Sequence, residues 1–113
     1  MLALSRHKGQ SVVVGDRTGH WFITVASVTP AGVSVRIESG GRLDSQTAEL
    51  TEHVPIQVGG KVEIHLLDVC EDRGRVRLGF IAPKGFHLHR FEIWNALLAE
   101  GTAGFFDGPG SFL

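Results

Sequence analysis

Tyrosine is absent, cysteine and methionine occur once each, and only four prolines interrupt 113 residues. The lone cysteine, Cys70, excludes an internal disulfide framework and accords with a reducing compartment. No apolar run approaches the roughly 20 residues a membrane-spanning helix needs. Residues 1–6 carry no charged leader ahead of an apolar stretch, so no secretory signal is expected. An excess of one charge is also lacking: 11 basic and 12 acidic residues give a formal net charge of −1. Any attraction for a polyanion must therefore come from a local patch. The chain is 42% hydrophobic and 20% charged, which excludes wholesale disorder and collagen-like repetition. The expectation is a single-domain, cytoplasmic protein without membrane association.

Glycine, by contrast, is plentiful. Fifteen glycines punctuate short runs rich in Val, Ile and Leu, a pattern that predicts strands. Candidate strands are residues 2–6, 11–14, 21–28 and 33–37 in the first part. Residues 54–58, 61–69, 75–81 and 86–90 follow in the second. In 33–37, Val33, Val35 and Ile37 alternate with Ser34 and Arg36, as in a strand buried on one face. The period then changes. Phe91, Trp94 and Leu98, with Ile93 and Leu97, recur at helical spacing, and Gly101 marks a stop. Such a short helix needs a surface on which to pack its apolar stripe.

A repeat runs at an offset of 41 residues: Ile23 matches Ile64, Val25 matches Leu66 and Val28 matches Val69. Read without a gap, Val35, Arg36 and Ile37 then match Val76, Arg77 and Leu78. Between the copies, residues 38–52 hold four acidic residues and one basic one, and read as an exposed connection unsuited to phosphate. Residues 101–113 read as a Gly-rich, flexible tail, within which Phe105, Phe106 and Phe112 could pack back on the body or touch a partner.

The two ends of the chain carry a resemblance. Met1-Leu2-Ala3-Leu4-Ser5-Arg6, Gly9-Gln10 and Val13-Val14-Gly15-Asp16 resemble the opening of the carbon storage regulator (CsrA/RsmA) family. Val76-Arg77-Leu78-Gly79-Phe80-Ile81-Ala82-Pro83-Lys84 resembles its fourth strand and the following turn. Leu88-His89-Arg90, with Glu92-Ile93, resembles its last strand running into its helix. The resemblance implies a mainly β fold: a small antiparallel, barrel-like β body with one short C-terminal α-helix, over residues 1–100. Residues 17–60 would be an insertion carrying the extra β-hairpin. It also implies an RNA-binding translational regulator, often a repressor, that acts as a homodimer with interleaved strands. Its target would be GGA-containing hairpin loops in messenger leaders. Small regulatory RNAs or a protein antagonist are the further partners implied, and no cofactor.

Carried over by position, Leu4 and Arg6 supply the first-strand side of the RNA site, Leu88 and Arg90 the last-strand side. The chemistry of the residues agrees. Side chains two apart on a strand share a face, so each arginine lies beside an aliphatic neighbour. A guanidinium offers a planar fork of donors to guanine or phosphate, and splayed loop bases can rest on apolar surface. Lys8 and Lys84 would add phosphate contacts. The chain departs from the family at His7, where a second basic residue is usual, at Phe91, where a short polar residue is usual, and in residues 17–60. The His87-x-His89 pair lacks further ligands at metal-site spacing. Cys70 adjoins Glu71-Asp72, which disfavours a thiolate, and no catalytic constellation is present. The rival expectation is a protein-interaction module of the same fold that has lost RNA binding and engages a protein such as a flagellar assembly factor.

Overall fold

The computed structural model describes residues 1–16, 19–39 and 45–99. Their strands are β1 (Leu2–His7), β2 (Ser11–Asp16), β3 (Gly19–Thr29), β4 (Gly32–Ser39), β5 (Ser45–Leu50), β6 (Ile56–Val58), β7 (Val62–Cys70), β8 (Arg75–Ile81) and β9 (His87–Arg90). A single helix, α1 (Phe91–Ala99), follows β9 without a break. The strands make two antiparallel sheets. The first has the order β1-β8-β7-β6, the second β5-β4-β3-β2-β9. The protein is thus mainly β with one short C-terminal helix, as its alternating pattern predicts.

The sheets share one core. Alternate residues of each strand point inward, so Val12 and Val14, Ile23 and Val25, and Val33 and Val35 meet Ile64, Leu66, Leu78 and Phe80. Each such apolar side chain, when fully buried, contributes about 1.5–3 kcal/mol. The second sheet has its opposite face covered at one end by α1. There Trp94 is buried against Val13 and Phe22, and its ring lies 5.4 Å from that of His20 and 6.1 Å from that of His89. This contact supplies the surface that a nine-residue helix requires.

The repeat is real at the level of strand pairing. In the hairpin β3–β4, Val25 faces Val35, Ile23 faces Ile37, and the register slips between Val25 and Ser27. In β7–β8, Leu66 faces Leu78, Ile64 faces Phe80, and the slip falls between Leu66 and Asp68. Every pair of the second hairpin therefore maps onto a pair of the first, bulge included. The offset is 41 residues along the first strand and 43 along the second, as Val25 to Leu66 and Val35 to Leu78 show. This corrects the gapless match: Val35 and Ile37 correspond to Leu78 and Phe80, not to Val76 and Leu78. The difference lies in the turns. Pro30-Ala31 joins the first pair of strands. The second turn is a 3-10 segment, Glu71–Arg73, ended by Gly74 at φ 58, where the left-handed backbone favours glycine.

The correspondence extends further. Val12 and Val14 of β2 face Ile23 and Trp21, and Ile56 and Val58 of β6 face Ile64 and Val62. Leu4 of β1 faces Leu78, and Ala48 of β5 faces Val35. From β1 through β2 to β5 through β6, the offset is a constant 44 residues, as Leu4 to Ala48 and Val12 to Ile56 show. Two consequences correct the sequence reading. The acidic stretch 38–52 is not merely a connection, because it contains strand β5. And the described residues of 17–60 are integral to both sheets, supplying β3, β4 and β5 to the second and β6 to the first.

Candidate functional site

Two strand edges meet at one rim of the body. Among the described residues, β1 ends the first sheet and pairs only with β8, and β9 ends the second and pairs only with β2. The sequence-predicted arginines lie on these two strands. Because Arg90 faces Val12 and Leu88 faces Val14, Arg90 projects toward the core side of its sheet, at the open end. Arg6 lies on the inward face of β1 with Leu4. Within one chain, Leu4 and Arg90 thus line one groove, Leu4 and Leu88 share one core cluster, and Arg6 bonds Glu92, two residues beyond Arg90.

Arg6 and Arg90 are placed very differently. Arg6 is 5% exposed. Its guanidinium donates to both carboxylate oxygens of Glu92, at 2.9 and 3.0 Å, and to the backbone carbonyls of Ser11 and Ser5. The planar fork and the carboxylate meet edge to edge, the strongest geometry available to this pair. Glu92 responds: the hydrogen bonds from Arg6, then its own backbone N–H and the charges of Arg6 and Arg90, lower its pKa to about 2. Arg6 therefore fastens β1 to the first turn of α1, and in this structure its donors face protein groups. Arg90 is exposed. It lines a groove of about 410 Å³ with Ala3, Leu4, Ser5, Arg75, Val76, Arg77, Asp68 and Cys70.

Arg75 and Arg77 are the residues that sequence reasoning passed over. They alternate with the buried Val76 and Leu78, so they stand on the outer face of the first sheet. Their neighbours there are His7 and Ser5 on β1, and Cys70 and Asp68 on β7. The Lys8 N–H donates to the Gly74 carbonyl at 2.9 Å, which brings Lys8 beside the turn carrying Arg73. A local cationic surface, formed by Lys8, Arg73, Arg75, Arg77 and Arg90, thus exists in a chain of near-zero net charge. Asp68 and the turn acids Glu71 and Asp72 temper it.

The remaining site candidates divide. Leu4, 5% exposed, and Leu88, fully buried, belong to the shared core. Leu4 reaches the groove wall, whereas Leu88 is not among the groove residues. Lys84 follows β8, whose end lies beside Leu2, whereas Lys8 lies beside the start of β8. The two lysines therefore stand at opposite ends of β1. His87 and His89 stack with ring centres 6.2 Å apart on the face of β9 turned toward the helix. Burial, and then the charge of His87, lower the pKa of His89; burial lowers that of His20. No group of three or more metal-ligating side chains occurs among the described residues. Nor is any described helix long and apolar enough to cross a membrane. The expected helix stop at Gly101 and the phenylalanines of the tail fall outside the described residues.

Neither a protein-family model nor a solved structure matches the chain.

Proposed function

We propose that the chain is a non-enzymatic RNA-binding regulator of the carbon storage regulator type, which seats an unpaired loop on the rim between β1 and β9. The observation that carries this reading is the groove lined jointly by Arg75 and Arg77 of β8 and Arg90 of β9, beside β1 and β9, each an edge strand of its sheet among the described residues. Guanidinium forks suit phosphates and guanine edges. Free strand edges offer main-chain donors and acceptors to bases splayed out of a loop, the form in which RNA sequence is readable. Arg90 and Arg77 make the direct contacts, Arg75 and Lys8 neutralise phosphate, and Arg6 with Glu92 positions the last strand. Occlusion of a messenger leader in the cytoplasm, excluding the ribosome, is the mechanism that follows from such a site.

Fluorescence anisotropy with a GGA-loop hairpin tests the reading. Arg90→Ala should cost about 1–3 kcal/mol of binding, the usual worth of a good base contact, and Arg77→Ala a comparable amount. Affinity should fall steeply as salt rises, because several phosphates are neutralised. Salt-independent binding, or equal affinity in both variants and the wild type, would reject the site.

A further inference from the structure

We infer that one chain is by itself the complete two-lobed body, and that it holds a single RNA loop because the second, symmetry-related rim has been dismantled. The inference rests on the function proposed above for its ligand, but on strand pairing for its geometry.

β1 and β5 are corresponding strands, as are β4 and β8. Yet β1 pairs with β8 and β5 pairs with β4, so β1 closes on the hairpin of the second copy and β5 on that of the first. This is a reciprocal exchange of strands, of the kind usually made between two molecules, carried out here inside one. It leaves neither β4 nor β8 with an open edge to receive a strand from another chain.

The two rims created by this exchange are not alike. The first has β1 beside β9. At its counterpart, β6 stands where β2 does, but no described strand occupies the place that β9 takes on β2. The 44-residue offset replaces Arg6 with Leu50, Lys8 with Glu52 and Ser5 with Glu49. The 43-residue offset replaces Arg75 with Gly32 and Arg77 with Ser34. Ser34 donates to Glu49 there, and the exposed Arg36 is paired with Glu38. Arg6, Lys8, Arg75 and Arg77 are thus neutral or acidic at their counterparts, while Arg73 lies in the longer turn and the strand bearing Arg90 has no described equivalent. A polyanion finds one place to bind.

Light scattering over a wide concentration range, and calorimetric titration with a GGA-loop hairpin, test both halves. The expected results are the mass of one chain and one RNA per chain. An RNA carrying two such hairpins should bind no more tightly than one hairpin does, beyond the statistical twofold, because no second site supplies avidity. Arg77→Glu should weaken binding at least about tenfold, whereas Arg36→Glu, the same charge reversal on the other lobe, should leave it unchanged. A dimeric mass would overturn the one-chain body whatever the RNA does. Two RNAs per chain, or equal losses in the two variants, would overturn the single site. A monomeric protein that binds no hairpin would reject the RNA-binding function and the single-site half, while upholding the one-chain body.

Discussion

The two copies within this chain differ in a consistent way. Their inward residues correspond in kind: Val12 with Ile56, Ile23 with Ile64, Val25 with Leu66, Ile37 with Phe80. Their outward and rim residues do not: Arg77 stands opposite Ser34, Lys8 opposite Glu52, Arg6 opposite Leu50. The contrast teaches that packing and chemistry constrain different positions. A shared core requires apolar volume at the inward places of both copies away from the rim, because a cavity in either destabilises both. The rim is free of that demand, and carries cations beside β9 but not at the counterpart position.

The largest effect tests whether the copies are energetically one. Phe80 is 1% exposed and its counterpart Ile37 9%. Phe80→Ala should cost about 3–5 kcal/mol, and Ile37→Ala about 2–5 kcal/mol, by cavity formation. In urea each variant should still unfold in one transition that moves as a whole. Two transitions, of which only one shifts, would show that the copies are separate units.

The next effect sharpens the contrast between rims. Glu92→Gln loses the charged partner of a buried arginine on the β1–β9 rim, and should cost about 1–2 kcal/mol, moderated by the solvent around the carboxylate. Leu50→Arg would place an unpartnered arginine at the corresponding position and should also destabilise. If it proves harmless, the neighbourhood of Leu50 can hold a charge and the rims are less different than described.

Acid sensitivity should follow the same division. His20 and His89 have pKa values below 6.5 in the fold, so the unfolded chain binds protons first and stability declines as pH falls through 6.5. Glu92 has a folded pKa of about 2 against 4.5, so its contribution is full above 4.5 and is lost as pH falls toward 2. Thermal melts across this range should show both stages, and Glu92→Gln should flatten the lower one only. All three groups belong to the β9–α1 end of the molecule. The smallest effect lies on the other lobe: Arg36→Ala breaks an exposed ion pair and should change stability by less than about 0.5 kcal/mol.

Much of this architecture was legible in the residues. Alternation located the strands around both hairpins, and the helical period located α1. The phase of the second hairpin was not legible, for a definite reason. A strand repeats every two residues, so a slip of two keeps every side chain on its proper face. Only the longer turn at Glu71–Arg73 fixes the register, and its backbone conformation is not written in the alternation. β5 escaped because Ser45-Gln46-Thr47-Ala48-Glu49 is polar, as suits an exposed edge strand. At the site, the pairing of Leu4 with Arg6 and of Leu88 with Arg90 followed from parity, but the capture of Arg6 by Glu92, 86 positions away, depends on the tertiary fold. Arg75 and Arg77 did leave a signal: they are the outward members of a strand whose alternation is marked by its apolar members.

The reciprocal exchange of strands inside one chain has a consequence for heredity. In an assembly of identical subunits each mutation is expressed at both symmetry-related places, so a change that helps one surface is imposed on the other. Joining the copies end to end releases them from that bond. One lobe can then carry a set of surface residues that its twin does not share, while both supply the common core.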